Sequence, residues 1–303
     1  MGPQGRARYG RTGELQVLQG SAWLEQPCRG GVNYTGHVTR LMHDIVERIP
    51  ALAFIDLSRV LVFARPGRTS ADGAYASCHC LSLPASEPGY FFWRDRNTGD
   101  ITRRTEWFVT KSPEVSFDGR VMNYLISFAL PRFTDQTLTR SRKRDLYPQG
   151  TPDWVAKLDT VIHELYHVDP DQDCLRRFHR ADGVPSDALH SPTYFEDVAE
   201  LVQQYLATQP DQRLLEFLQY DFNGLRARYG AIAGTTFRSF PSYPRRYREA
   251  VADQPMMADV QAAPVERIID PSVRIFSEDD LQFREFTGTG SRQIASYTTA
   301  AAA

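Results

Sequence analysis

The residues best suited to chemistry in this chain are His163-Glu164-Leu165-Tyr166-His167. In an α-helix, positions four apart lie about 40° apart around the axis, so both imidazoles project from one face and can grip a single ion. Glu164 stands beside them, where a carboxylate can take a proton from an activated water and pass it to a leaving amine. Imidazole nitrogen suits zinc, and a catalytic zinc site needs three protein ligands plus one open position. The surrounding stretch supports a helix, because Val155, Leu158, Val161, Ile162 and Leu165 recur at helical spacing.

Two imidazoles hold an ion loosely, so a third ligand is required. His190 is favoured, because Ser191-Pro192 follows it and then Tyr194 to Leu206 carries helical periodicity. Ser191 can cap that helix and Pro192 suits its first turn, which would place the ligand rigidly. Glu196 or Glu200 would instead supply a carboxylate from the second helix. His179 lies within Arg176-Arg177-Phe178-His179-Arg180, a cationic neighbourhood that disfavours a dication.

The elements that must position these residues are strand-rich before the motif and helical after it. Leu41, Met42, Ile45, Val46 and Ile49 predict a helix over residues 39–49, stopped by Pro50. Strands are expected at Val60–Phe63, Ala74–Leu83, Tyr90–Trp93, Ile101–Val109 and Val121–Leu130. The turn signal Asn97-Thr98-Gly99-Asp100 makes the third and fourth of these a hairpin. If Val121–Leu130 forms the sheet edge beside the cleft, it would align a substrate in extended form by strand addition. Helices are expected over Trp154–His167, Tyr194–Leu206 and Leu214–Tyr229, the last closed by Gly230. Beyond Phe240 the prolines at 241, 244, 255, 264 and 271 make a continued core unexpected.

The 303 residues, 42% hydrophobic and 24% charged, exclude collagen-like, wholly disordered and disulfide-scaffold classes. A net charge of -2 gives no global field toward nucleic acid or an anionic membrane. Four cysteines without a C-x-x-C pair predict a reduced, cytoplasmic chain. No signal peptide, membrane span or myristoylation site is read, so no membrane partner is expected.

The stretch Thr160 to His167, then Leu175-Arg176-Arg177-Phe178, then His190-Ser191-Pro192 before a helix, resembles the phage metallopeptidase family. It is similar more distantly to SprT-like and minigluzincin zinc peptidases, in which a His-Ser step before an aromatic residue supplies the third ligand. The resemblance runs from about Thr39 to Tyr205 and includes Ile55-Asp56 and Leu130-Pro131-Arg132-Phe133. It implies an α+β, zincin-like fold, with a small mixed sheet packed on the active helix plus further helices. The implied activity is zinc-dependent hydrolysis of peptide bonds, with Zn2+ on His163, His167 and His190 and Glu164 as general base. The expected organisation is a flexible arm over residues 1–35, a metallopeptidase domain over 36–240 and a partly ordered extension over 241–303. The alternatives are a non-catalytic phage or bacterial structural or assembly module that binds zinc, and a DNA-associated SprT-like protease.

Other features are weaker. Cys78-His79-Cys80 has spacing unsuited to zinc, since neighbouring strand residues face opposite ways, and it reads as packing. Asp169 to Asp173 lacks the glycine and the final glutamate of a calcium loop. Arg140, Arg142, Lys143 and Arg144 could contact phosphate, but a solvated loop is favoured. Arg245, Arg246 and Arg248 among Tyr243 and Tyr247 could stack on single-stranded bases. Tyr166 and Tyr194 are conceivable oxyanion donors and are left out of the catalytic set.

Overall fold

A computed structural model describes residues 31–70, 73–81, 92–94, 101–104, 107–109, 114–170, 175, 176, 178, 189–239, 246–250, 266, 267 and 275–296. In chain order the elements are β1 (Gly31–Asn33), α1 (Tyr34–Arg48), β2 (Val60–Gly67), β3 (Ala76–Cys80), β4 (Phe92–Arg94), β5 (Ile101–Arg104) and β6 (Trp107–Val109). There follow β7 (Ser116–Phe117), β8 (Arg120–Val121), β9 (Tyr124–Pro131), α2 (Val155–Tyr166), α3 (Tyr194–Ala207), α4 (Gln212–Leu215) and α5 (Phe222–Tyr229). The chain closes with β10 (Ala231–Phe237), β11 (Arg246–Ala250), β12 (Glu266–Arg267), β13 (Leu281–Thr287) and β14 (Gly290–Ser296). The architecture is α+β, with small mixed sheets and five helices among the described residues.

The sheet nearest the motif has the order β2-β9-β3, with β2 parallel and β3 antiparallel to β9. Strand alternation sends its two faces to two cores. Val60, Val62, Ala64, Tyr124, Ile126, Phe128 and Leu130 join the cluster that includes α1, α2, α3 and α5, while Leu61, Phe63 and Leu125 join a second cluster. All eight residues of β9 are buried, so β9 is the central strand. The condition under which Val121–Leu130 would align a substrate, that it forms the edge, is therefore not met. A continuous apolar run with both faces covered is what a central strand requires, and β3 holds the edge next to the helices instead.

The second cluster corrects another expectation. Phe276, Leu281 and Phe283 pack with Phe63, Phe117 and Phe237, so the core continues well past Phe240. In the sheet β1-β10-β13-β14, β10 takes β1 as a parallel and β13 as an antiparallel neighbour. β10 also lies close to α1 and β2: a Cβ on Gly234 would meet Thr35 Cγ2 at 3.0 Å and Ala64 Cβ at 3.4 Å. The expected hairpin is present, as β4 pairs antiparallel with β5, but β6 pairs with β11. Its turn, Asn97 to Asp100, lies outside the described residues, as does most of the expected N-terminal arm.

Helix α1 starts five residues before its predicted start, because the Asn33 side chain accepts the Gly36 N–H at 3.0 Å and caps it. It ends before Pro50. The helix expected over Leu214–Tyr229 is broken into α4, a 3-10 turn at Glu216–Gln219, and α5. Asp221 starts α5 by accepting the Gly224 N–H at 2.7 Å, a cap that halts the preceding helix.

Helix α2 is buried at every position from Val155 to Ile162, so its polar residues need partners inside the protein. Lys157 Nζ donates to the carbonyls of Leu218 and Tyr220 at 2.9 and 2.6 Å, which satisfies the broken helix end. Thr160 donates its hydroxyl hydrogen within reach of Gln136 Oε1 and the Ala156 carbonyl, at 3.0 and 3.1 Å. Asp159 accepts from Tyr147 Oη at 2.6 Å and is ion-paired with Lys143. These contacts fix the helix that carries the motif.

Candidate metal centre

The carboxyl-terminal half of α2 presents His163 and the following turn presents His167, while His190 comes from the loop just before α3. One ligand nitrogen from each can be chosen so that all three lie within 4.8 Å of one another. His163 Nε2 and His190 Nε2 are 3.3 Å apart. Tetrahedral coordination at zinc–nitrogen distances near 2.0–2.1 Å places ligand nitrogens about 3.3–3.4 Å apart. The His163–His190 pair already has that spacing.

Tyr194 organises the cluster. Its ring lies 4.9, 5.1 and 4.5 Å from those of His163, His167 and His190, and its hydroxyl donates to the His163 carbonyl at 2.9 Å. That bond ties the start of α3 to α2 and brings His190, four residues earlier, onto the motif. Ser191 plays a different part from the cap expected of it. The helix begins at Tyr194 after Thr193 with no side-chain cap, and the Ser191 carbonyl accepts the Tyr194 N–H at 3.2 Å. Arg176 closes the carboxyl-terminal end of α2: Nε donates to the Tyr166 carbonyl at 2.8 Å and the guanidinium lies 4.2 Å from the Tyr166 ring centroid.

Burial lowers the pKa of all three imidazoles, to about 2 for His163 and about 4 for His167. The positive charge of Lys143 adds to the effect on each. At neutral pH the rings are therefore uncharged, with lone pairs free to ligate. Nδ1 of His163 and Nδ1 of His167 are buried with no hydrogen-bond partner among the described residues. Leaving such a group unmet costs about 1–3 kcal/mol. Packing holds these rings, and the donor set of three neutral imidazoles fits a divalent ion such as zinc.

Glu164 is 4% exposed and accepts the backbone N–H of Cys78. Burial pushes its carboxyl up to about 8, against the Cys78 N–H and the charges of Lys143 and Arg65, which act in the opposite direction. The β3–β9 register explains the contact. Ala129 N–H donates to the Tyr75 carbonyl and Leu81 N–H to the Asn123 carbonyl, so the backbone groups of Ala76, Cys78 and Cys80 face the outer edge of β3. Among the described residues no strand covers that edge.

No family model, curated protein or solved structure matches this chain.

The cluster thus contains His163, His167 and His190, the three ligands expected from sequence. Glu196 and Glu200 are exposed on α3 and are not among them, and His179 lies outside the described residues. Neither tyrosine offers a free hydroxyl to the centre: Tyr194 is bonded to His163, and Tyr166 Oη lies 3.4 Å from Asp197 Oδ2. Cys78 and Cys80 pack against the main core as expected of strand residues, and Cys28 and Cys174 lie outside the described residues.

The loop before α2 departs from its reading as a solvated cationic cluster. Arg140 and Arg142 are exposed, but Arg144 donates to the carbonyls of Tyr147 and Pro148, and Lys143 turns inward to Asp159. Lys143 Nζ also lies 5.2 Å from the Phe195 ring centroid. Sequence reasoning missed Lys143, Asp159 and Tyr147, although an aspartate inside an otherwise apolar helix signals a buried partner. Part of the Asp169–Asp173 stretch and the Tyr243–Arg245 portion of the second basic cluster lie outside the described residues. No helix among the described residues is long and apolar enough to cross a membrane.

Proposed function

We propose that this chain is a zinc-dependent peptidase of the H-E-x-x-H type, with a zincin-like arrangement of sheet and active helix. The observation that carries the reading is Glu164, a buried carboxylate placed between two clustered imidazoles on α2 and fastened to the edge strand β3 through Cys78 N–H. A structural metal site has no need of a base and favours a fourth protein ligand. The similarity of the Thr160–His167 and His190–Pro192 segments to phage metallopeptidases points the same way.

His163, His167 and His190 would hold the ion, and it would supply Lewis acidity toward a peptide carbonyl and lower the pKa of a water. Glu164 takes a proton from the attacking water at a carboxylate oxygen and delivers it to the nitrogen of the leaving amine. Burial raises the pKa of this carboxyl, and a dication held by the neighbouring imidazoles would act against that shift and favour the ionised form a base requires. The outer edge of β3 adjoins that base and is covered by no strand among the described residues, so an extended peptide could add to it and lie across the imidazole cluster.

The reading is tested by metal content and cleavage together. About one zinc per chain is expected in the wild type, lost in His163→Ala and weakened in His190→Ala. Glu164→Ala should retain zinc and lose cleavage of an unfolded protein substrate. Full metal retention in His190→Ala, with loss in Glu196→Ala or Glu200→Ala, would overturn the ligand assignment.

A further inference from the structure

The hydrolysis described above leaves Lys143 without a role. Its ammonium is ion-paired with Asp159 in an oriented way: the lysine side chain is 19% exposed and the aspartate 1%. The aspartate is enclosed, with its second oxygen taken by Tyr147 Oη, while the lysine side chain keeps part of its surface exposed. An ammonium has three N–H donors, and Asp159 occupies one. Beside it lies the Phe195 ring, 37% exposed, whose centroid is 5.8 Å from that of His163 and 5.2 Å from that of His190. Leu189, 55% exposed, precedes His190.

A fixed cation therefore adjoins a cluster suited to a dication, and the two repel. The Phe195 ring joins the two, with Lys143 Nζ 5.2 Å from its centroid and the His163 ring stacked on it at 24°. A pair serving only to anchor the loop gains nothing from holding its charge at this place. An anionic ligand group near both would offset the repulsion, and charge-assisted hydrogen bonds to it are about twice as strong as neutral ones.

We propose that Lys143 and Phe195 form a subsite for a carboxylate carried next to an apolar group, so that the preferred peptides present a carboxylate beside the three imidazoles. That these peptides are cleaved rests on the peptidase reading, whereas carboxylate binding does not. Two sources share this chemistry, the C-terminal carboxylate of an apolar residue and an acidic side chain.

The test titrates N-acetyl-phenylalanine, its amide, and N-acetyl-aspartic acid α-amide into the full chain, metal-free and zinc-loaded, by calorimetry. Wild type should bind N-acetyl-phenylalanine about tenfold more tightly than the amide in both forms, with the preference falling as salt rises. Lys143→Met alone strands Asp159, so the decisive variant is Lys143→Met combined with Asp159→Asn, checked for fold by circular dichroism. It should bind acid and amide alike, and Lys143→Arg should keep the preference. Binding of the aspartic amide as tight as that of N-acetyl-phenylalanine assigns the subsite to acidic side chains, and weaker binding assigns it to C-termini. Equal affinity for acid and amide in wild type overturns the proposal, as does a preference that survives in the double variant. Absence of zinc binding or cleavage would sink the peptidase reading while the acid preference of the metal-free chain is still measured.

Discussion

Replacing Lys143 with methionine strands the carboxylate of Asp159, whose side chain is 1% exposed and, among the described residues, keeps only the Tyr147 hydroxyl as a partner. Breaking a buried ion pair from one side costs about 3–5 kcal/mol. The stranded group can escape by taking up a proton, which at pH 7 costs about 4 kcal/mol for an aspartate of ordinary pKa near 3.9. The two limits agree, so Lys143→Met should lose about 4 kcal/mol of stability at pH 7. Asp159→Asn should lose less, about 1–2 kcal/mol, because Lys143 keeps 19% exposure and can turn its ammonium to water. The double variant buries neither charge and should also lose about 1–2 kcal/mol. The cycle is therefore non-additive by at least about 2 kcal/mol. Urea unfolding in the presence of a chelator measures all four proteins without a metal contribution. The Lys143→Met deficit relative to the double variant should shrink as pH falls, because the cost of placing a proton on the stranded carboxylate falls with it. Additivity within about 0.5 kcal/mol, or a Lys143→Met variant no weaker than the double variant, would refute the reasoning.

Two further outcomes follow from packing and burial. Lys157 is 3% exposed, and burial pushes its pKa from 10.5 down to about 8. Between those values the unfolded chain holds a proton that the native chain has released, so stability rises with pH across that window, by about 3 kcal/mol at 1.36 kcal/mol per unit. Comparing wild type with Lys157→Met at pH 7, 8.5 and 10 isolates this slope, and parallel curves for the two proteins would contradict it. Gly234→Val should cost about 1–3 kcal/mol by overpacking, because even a Cβ there meets Thr35 Cγ2 at 3.0 Å. A thermal melt unchanged from wild type would show that β10 does not lie against α1.

The helix of the motif was legible because His163 and His167 recur at the period that places Leu158, Val161, Ile162 and Leu165 in the core. His190 was legible from the chain entering a second helix, although Tyr194, rather than a Ser191 cap, is what fixes that entry. Strand pairing was less accessible. Tyr124 to Leu130 reads as a strand, but only its burial on both faces shows that β9 is central and that β3 offers the open edge. Asp159 in a mostly apolar helix signals a buried partner, but the ion pair joins residues sixteen apart through a loop with no periodicity, so nothing local names Lys143 as that partner. The same holds for Phe276 and Phe283, which close the second core from a segment whose upstream prolines suggested none. The break at Asp221 was hidden because apolar spacing continues across it, while the cap and Lys157 decide where the helix stops.

The most direct test of the central claim is the set of new N-termini produced when a peptide library is incubated with zinc-loaded wild type and with Glu164→Gln. The account predicts cleavage products from wild type, abolished by a chelator and absent with Glu164→Gln, although the variant still binds about one zinc per chain. Equal products from the two proteins would contradict the assignment of Glu164 as the base, and no cleavage by wild type would contradict the peptidase reading itself.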